Sequence, residues 1–149
     1  MNHSVFVIIP AFNEREVILA TLESLIPKGY SIVVVDDGSI DGTAALVANL
    51  PVYLLRHTIN FGQGAALQTG MTFALKEGAE FIVHFDADGQ HRIEDIETLL
   101  GPLRTGEADV VLGSRFMREA DRLAVPPLKR LVLRVAVFIN GLDRARPGT

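Results

Sequence analysis

The residues best placed to do chemistry are two carboxylates one residue apart, Asp86 and Asp88, because a mostly apolar run, Phe81–Phe85, leads straight into them. Alternate side chains of an extended chain point the same way. Both carboxylates therefore face one site if the backbone stays extended through Ala87. With the amide oxygen of Gln90 they make a set of hard oxygen donors suited to Mg²⁺ or Mn²⁺. Such an ion is held most usefully where a substrate phosphate completes its ligands. A plain turn after a strand accounts for Asp86-Ala87-Asp88 equally well in isolation, so the elements around it have to decide.

Those elements alternate. Apolar, β-favouring runs predict strands over Val5–Ile9, Ile32–Val35, Val52–Leu55, Phe81–Phe85 and Asp109–Leu112. A helix is expected after Asn13 as its N-cap, with Glu14 and Glu16 in the first turn and Pro27-Lys28-Gly29 as its stop. Further helices are expected from the Asp41-Gly42-Thr43 turn to about Asn49, over Ala65–Lys76, over Arg92–Leu103, and from Pro126-Pro127 to about Asn140. The stretch from His57 to Gly64 reads as a flexible link. Strands apolar on both faces, alternating with helices, predict an α/β fold: a mostly parallel sheet with helices on both faces.

The unusual polar residues sit just after strands. Asn13 and Glu14 follow the first, Asp36 and Asp37 the second, Asp86 and Asp88 the fourth, and Arg115 the fifth. Ligands of open α/β sheets bind beyond the carboxyl ends of the strands, so these residues are expected at one edge. Carboxylates for a metal and for hydroxyls, facing an arginine suited to phosphate, describe a nucleotide-sugar as ligand.

Composition narrows the alternatives. The 149 residues favour one domain, and the absence of cysteine excludes a disulfide framework, a thiolate metal site and a thiol nucleophile. A reducing, cytoplasmic setting fits, and no apolar run approaches the roughly 18 residues of a membrane span. Residues 1–114 carry 6 Lys/Arg against 15 Asp/Glu, whereas residues 115–149 carry 8 against 3. A basic C-terminal part after an acidic body points to an anionic contact, and a solvated arginine-rich helix accounts for the same charge. The stripe Leu128, Leu131, Val132, Val135, Phe138 and Ile139, with Lys129, Arg130 and Arg134 among it, reads as core packing or as a face resting on an anionic membrane, with self-association a further expectation. No nucleic-acid partner is expected.

An EF-hand starting at Asp86 fails because His91 stands where glycine is needed. Gly62-Gln63-Gly64 lacks the third glycine of a dinucleotide site, and no GxxxxGK[ST] loop occurs. An aspartyl phosphatase is disfavoured because its strand–Asp-x-Asp comes early in the chain, not after four strands. Asp41-Gly42 reads as turn chemistry, and His57 and His84 as structural.

The run Ile8-Ile9-Pro10-Ala11-Phe12-Asn13-Glu14, the run Val34-Val35-Asp36-Asp37-Gly38-Ser39 with Asp41-Gly42-Thr43, Asp86-Ala87-Asp88-Gly89-Gln90-His91, and Gly113-Ser114-Arg115-Phe116 together resemble the family 2 glycosyltransferases of the GT-A fold. With Asn60-Phe61-Gly62-Gln63-Gly64 and the helix after it, the chain is most similar to the dolichol- and polyprenyl-phosphate sugar transferases. The resemblance covers residues 5 to about 116, giving a nucleotide-sugar-binding core over 1–116 and a basic helix and tail over 117–149. It implies that Pro10, Phe12, Glu14, Val35 and Asp37 line the nucleotide pocket, with Asp37 on the base. Asp86, Ala87 and Asp88 would run along ribose and diphosphate, Asp86, Asp88 and Gln90 would hold Mg²⁺ or Mn²⁺, and Asp88 and Arg115 would carry the catalytic roles. Lys129 or Arg130 would add a basic contact. The implied reaction is inverting transfer of a hexose-type sugar from a UDP- or GDP-sugar to a lipid phosphate, in cell-envelope chemistry at the cytoplasmic membrane face, with peripheral membrane contact through 126–140. The family's later motif and membrane-facing elements are not matched, so a short form that binds nucleotide-sugar without completing transfer is the alternative expectation.

Overall fold

The computed structural model describes residues 2–87 and 92–113. The chain divides into two units, Met1–Val111 and Leu112–Thr149, and the architecture that follows is that of the first. Four strands, β1 (Asn2–Ala11), β2 (Tyr30–Asp36), β3 (Tyr53–Arg56) and β4 (Phe81–His84), form one sheet in the order β3-β2-β1-β4. Every neighbouring pair is parallel. The helices are α1 (Ile18–Leu25), extended by a 3₁₀ turn over Ile26–Lys28, then α2 (Thr43–Val47), α3 (Gln63–Lys76) and α4 (Glu94–Arg104).

The parity of β1 divides the core. Val5, Val7, Ile9 and Ala11 pack with Ile18, Leu22 and Leu25 of α1, Val47 of α2, and Ile96 and Leu100 of α4. Phe6 and Ile8, with Val33 and Val35 of β2, pack against Ala66 and Ala74 of α3. A central parallel strand covered on both faces needs apolar side chains at every position, which is how its sequence reads. The placement of α3 follows from handedness. The sheet grows from β1 to β3 in one direction and then adds β4 on the other side of β1. Right-handed crossovers require the helix of that return to lie on the opposite face. Close packing there depends on Gly70, where a Cβ would overlap the side chain of Ile8.

Two expectations are corrected. Asp109–Leu112 forms no strand, and Val110 and Leu112 are exposed at 74% and 86%. Helix α1 starts at Ile18 rather than after Asn13, which instead takes a left-handed backbone, φ 56°. The Asn13 side-chain oxygen accepts from the Ile40 amide at 3.0 Å, and its own amide donates to Ser39 Oγ at 2.9 Å. Asn13 therefore ties the turn after β1 to the turn after β2 and caps no helix. The last predicted helix, 126–140, lies outside the described residues.

Candidate functional site

Register sets the shape of the site. Ala11 lies beside Asp36, and Asp36 beside Arg56, so β1, β2 and β3 end level with one another. β4 ends earlier: His84 lies beside Ile8, and the Phe85 amide still donates to the Ile8 carbonyl at 3.0 Å. Asp86 and Ala87 therefore leave the sheet next to the last residues of β1. The strand order reverses between these two strands, the position at which open α/β sheets part and bind ligands. A cavity of about 420 Å³ opens there, lined by Pro10, Ala11, Phe12, Glu14, Asp37, Asn60, Gln63, Ala66, Asp86 and Ala87.

The turn after β2 is built from its own acids. Asp36, fully buried, accepts from Arg56 Nε at 3.0 Å through one oxygen and from the Ser39 amide at 3.2 Å through the other. Asp37 accepts from His57 Nδ1 at 2.6 Å and the Phe61 amide at 2.9 Å on Oδ1, and from the Gly62 amide at 2.7 Å on Oδ2. Burial alone would raise the Asp37 carboxyl. The two amides and His57 outweigh it and hold the group below the ordinary carboxylate value. The turn closes on Gly38, where φ is +76° and a Cβ would stand 2.6 Å from the backbone of Ile59. Asp41 accepts from the Thr43 hydroxyl at 2.6 Å, the Thr43 amide at 2.9 Å and the Arg15 amide at 3.1 Å, so it organises the start of α2 and the turn after β1. Turn chemistry is thus what Asp41 does.

The turn after β4 is held differently. Asp86 is half-buried and receives Gln63 Nε2 on Oδ1 at 3.1 Å. Between the two acids of the motif, the Ala87 carbonyl accepts from Thr21 Oγ1 at 3.0 Å. Thr21 is buried on α1 beside Ile18, Leu22 and Leu25. A hydroxyl buried there without a partner would cost about 1–3 kcal/mol, so the bond to Ala87 explains why a polar residue is tolerated. His84, at the end of β4, is exposed.

Of the residues singled out from sequence, Pro10, Phe12, Glu14, Asp37, Asp86 and Ala87 come together around this one cavity. Val35 is fully buried in the core against α3 and is not among the lining residues. Asp88, Gln90, Arg115, Lys129 and Arg130 lie outside the described residues. Among the described residues no three His, Asp or Glu side chains gather as a metal site, and no helix is long and apolar enough to cross a membrane. Asp86 offers one carboxylate on the cavity wall, the hard-oxygen type of donor that a small divalent cation takes.

The sequence pattern of glycosyl transferase family 2 matches residues 6–146. The chain belongs to this family. Its curated relatives include the polyprenol monophosphomannose synthase of Mycolicibacterium smegmatis, 38% identical over 85% of this chain and 50% of that protein. The undecaprenyl-phosphate mannosyltransferase of Micrococcus luteus is 35% identical over 86% of this chain and 55% of its own length. The UDP-N-acetylglucosamine–dolichyl-phosphate N-acetylglucosaminyltransferase of Methanococcus voltae is 32% identical over 85% of this chain and 58% of its own. The chain spans about half the length of these relatives. The match continues past Arg115 through most of the basic C-terminal segment.

Asn60 and Gln63 are wall residues that the sequence reading passed over as a link. One signal was available: both lie in the connection from β3 to α3, on the carboxyl side of the strand, as Glu14 lies after β1.

Proposed function

We propose that this cavity binds the nucleotide-sugar donor of a glycosyltransferase that moves a hexose-type sugar from a UDP- or GDP-sugar to a polyprenyl-phosphate acceptor. The observation that carries the reading is the gathering of Pro10, Phe12, Glu14, Asp37, Asp86 and Ala87 at the switch point of the sheet in a chain of this family. The names of the relatives support the acceptor class, since they speak of polyprenol, undecaprenyl phosphate and dolichyl phosphate.

The charge of the cavity bears on the cation. Glu14, Asp37 and Asp86 all line it, so three carboxylates share one cavity wall. An anionic diphosphate enters an acidic cavity favourably only with positive charge between them. Asp86, Asp88 and Gln90 would hold a divalent ion, which when bound would supply charge stabilisation to the departing diphosphate. Arg115 would meet phosphate as a planar, bidentate donor. Pro10 and Phe12 would give the donor an apolar wall, and Asp37 would fix the turn that carries Asn60.

The acceptor would attack the anomeric carbon from the face opposite the leaving group. One carbon–oxygen bond forms to the lipid phosphate as the bond to the diphosphate breaks, which inverts the centre. A phosphate monoester with its second pKa near about 6 is largely ionised at neutral pH and carries no proton for a base to remove. The basic stripe over 126–140 would rest on the anionic membrane that holds the acceptor, on its cytoplasmic face.

Calorimetry with UDP- and GDP-sugars, with and without Mn²⁺, tests the donor site. Micromolar, metal-dependent binding of one nucleotide class is expected, and no binding of either overturns the reading. Release of nucleoside diphosphate that depends on added polyprenyl phosphate tests the transfer. Binding without such release would identify a nucleotide-sugar-binding module instead.

A further inference from the structure

We infer that His57 and Thr69 are positioning residues for the cavity: the hydrogen-bonded chain Thr69–His57–Asp37 fixes the turn over 60–62, and with it the Asn60 and Gln63 side chains that line the wall. This rests on the donor-binding reading of the cavity. His57 reaches Asp37 Oδ1 with Nδ1 at 2.6 Å and Thr69 Oγ1 with Nε2 at 2.9 Å. Its side chain is 13% exposed, and that of Asp37 is 3% exposed. A carboxylate only accepts, so Nδ1 carries the proton. In the neutral ring Nε2 is then the acceptor, and the Thr69 hydroxyl donates to it. Thr69 belongs to α3, so the imidazole ties the turn after β2 to the helix whose Gln63 and Ala66 line the cavity.

Asp37 passes that constraint on. Its two oxygens hold the amides of Phe61 and Gly62, and the Phe61 ring meets the His57 ring edge-on, centroids 5.3 Å apart and planes at 80°. The Gly62 amide is shared with Asn60 Oδ1 at 2.9 Å, which folds the Asn60 side chain into the turn. Gln63 follows directly and donates to Asp86. A path of hydrogen bonds, joined by the peptide link from Gly62 to Gln63, thus runs from the middle of α3, through an imidazole and a buried carboxylate, to the Asp86 carboxylate after β4. His57 meets no reacting atom along it. Its part is to keep Asp37 facing the 60–62 turn, so that the cavity exists before the ligand arrives. A cavity organised in advance binds without first ordering its wall.

Substitutions separate this role from general support. Asparagine carries an amide nitrogen close to the place of Nδ1, and glutamine close to that of Nε2. His57→Asn therefore keeps the donor to Asp37, His57→Gln keeps only the reach to Thr69, and His57→Phe keeps neither. Calorimetry on the full chain uses UDP and GDP, whichever the unaltered protein binds. Affinity is expected to fall at least about tenfold in His57→Gln and His57→Phe, the loss of one hydrogen bond to a charged group, and less than about threefold in His57→Asn. Thr69→Val should fall between them. Amide hydrogen exchange at Phe61 and Gly62, without ligand, should quicken in His57→Gln and stay slow in His57→Asn. Should His57→Phe fail to fold, the asparagine–glutamine pair and Thr69→Val still decide.

Equal affinity in the asparagine and glutamine variants, or losses that follow urea stability and not the Nδ1 donor, overturn the inference. So does a ¹⁵N spectrum of His57 at neutral pH showing Nδ1 without a proton. If the unaltered chain binds neither nucleotide, the donor reading fails. The exchange rates of Phe61 and Gly62 then decide the positioning role by themselves.

Discussion

Two turns of this molecule begin alike and end in opposite states. β2 and β4 are both apolar strands that run into a pair of acids, Asp36-Asp37 in one and Asp86-Ala87-Asp88 in the other. The acids after β2 are buried, and amides, an arginine and an imidazole surround them. Asp86, after β4, is half-buried on the cavity wall. The difference comes from place in the sheet. β2 lies between β1 and β3, so the end of β3 and the turn after it, with Ser39 of β2's own turn, supply donors to its acids. β4 is an edge strand among those described and ends three residues short of β1, so its turn opens onto the switch point. An acid surrounded by donors shapes a site, and an acid at the wall is disposed to meet what enters.

That contrast can be broken by substitution. The largest effect is expected for Asp37→Ala, which leaves the His57 donor and two amides without their acceptor, a loss of about 3 kcal/mol or more in urea unfolding. The same carboxylate predicts an acid limb. Its folded-state value lies below the unfolded one, so its contribution is complete above about pH 4 and is lost as pH falls through the lowered value. Asp37→Asn should flatten that limb of the stability–pH curve. Gly38→Ala comes next, at about 2–3 kcal/mol, because the methyl group meets the Ile59 backbone and the positive φ is unfavourable. A smaller loss that left the cavity intact would mean the two turns are not locked together there.

Thr21→Val should cost about 1–2 kcal/mol, since it leaves the buried Ala87 carbonyl without its hydroxyl donor. Its sharper consequence is expected in Mn²⁺ affinity, which should weaken in the valine variant and recover in Thr21→Ser. Asp86→Asn is expected to change urea stability least, by under about 0.5 kcal/mol, while abolishing metal-dependent nucleotide-sugar binding. A stability loss for Asp86→Asn as large as that for Asp37→Ala would erase the distinction between the two turns.

Much of this arrangement was legible beforehand. β1 and β2 are apolar at consecutive positions, and only a strand covered on both faces asks for that. The positions of Glu14, Asp37 and Asp86 after the first, second and fourth strands located the cavity, because parallel strands end on one side. Asn13 misled because asparagine before a helical pattern is a good cap, and the cap rule is local. Its actual partners, Ser39 and Ile40, are distant in sequence. Asp109–Leu112 misled because β propensity measures fit to a half-buried sheet, and those residues pair with no described strand. The link from His57 to Gly64 looked loose because its organiser, Asp37, belongs to another strand.

By itself the sequence determined the alternation of strands and helices, the two-faced core, the family and the side of the sheet on which the cavity opens. The elements and the core follow from periodicity, the side of the cavity from parallel strands ending together, and the family from several short motifs taken together in their order. Only the tertiary structure decided that Asp36 and Asp37 are buried among donors while Asp86 stays half-buried at the cavity wall. That depends on where each strand stops relative to its neighbour, a three-residue difference between β1 and β4 that no single strand records.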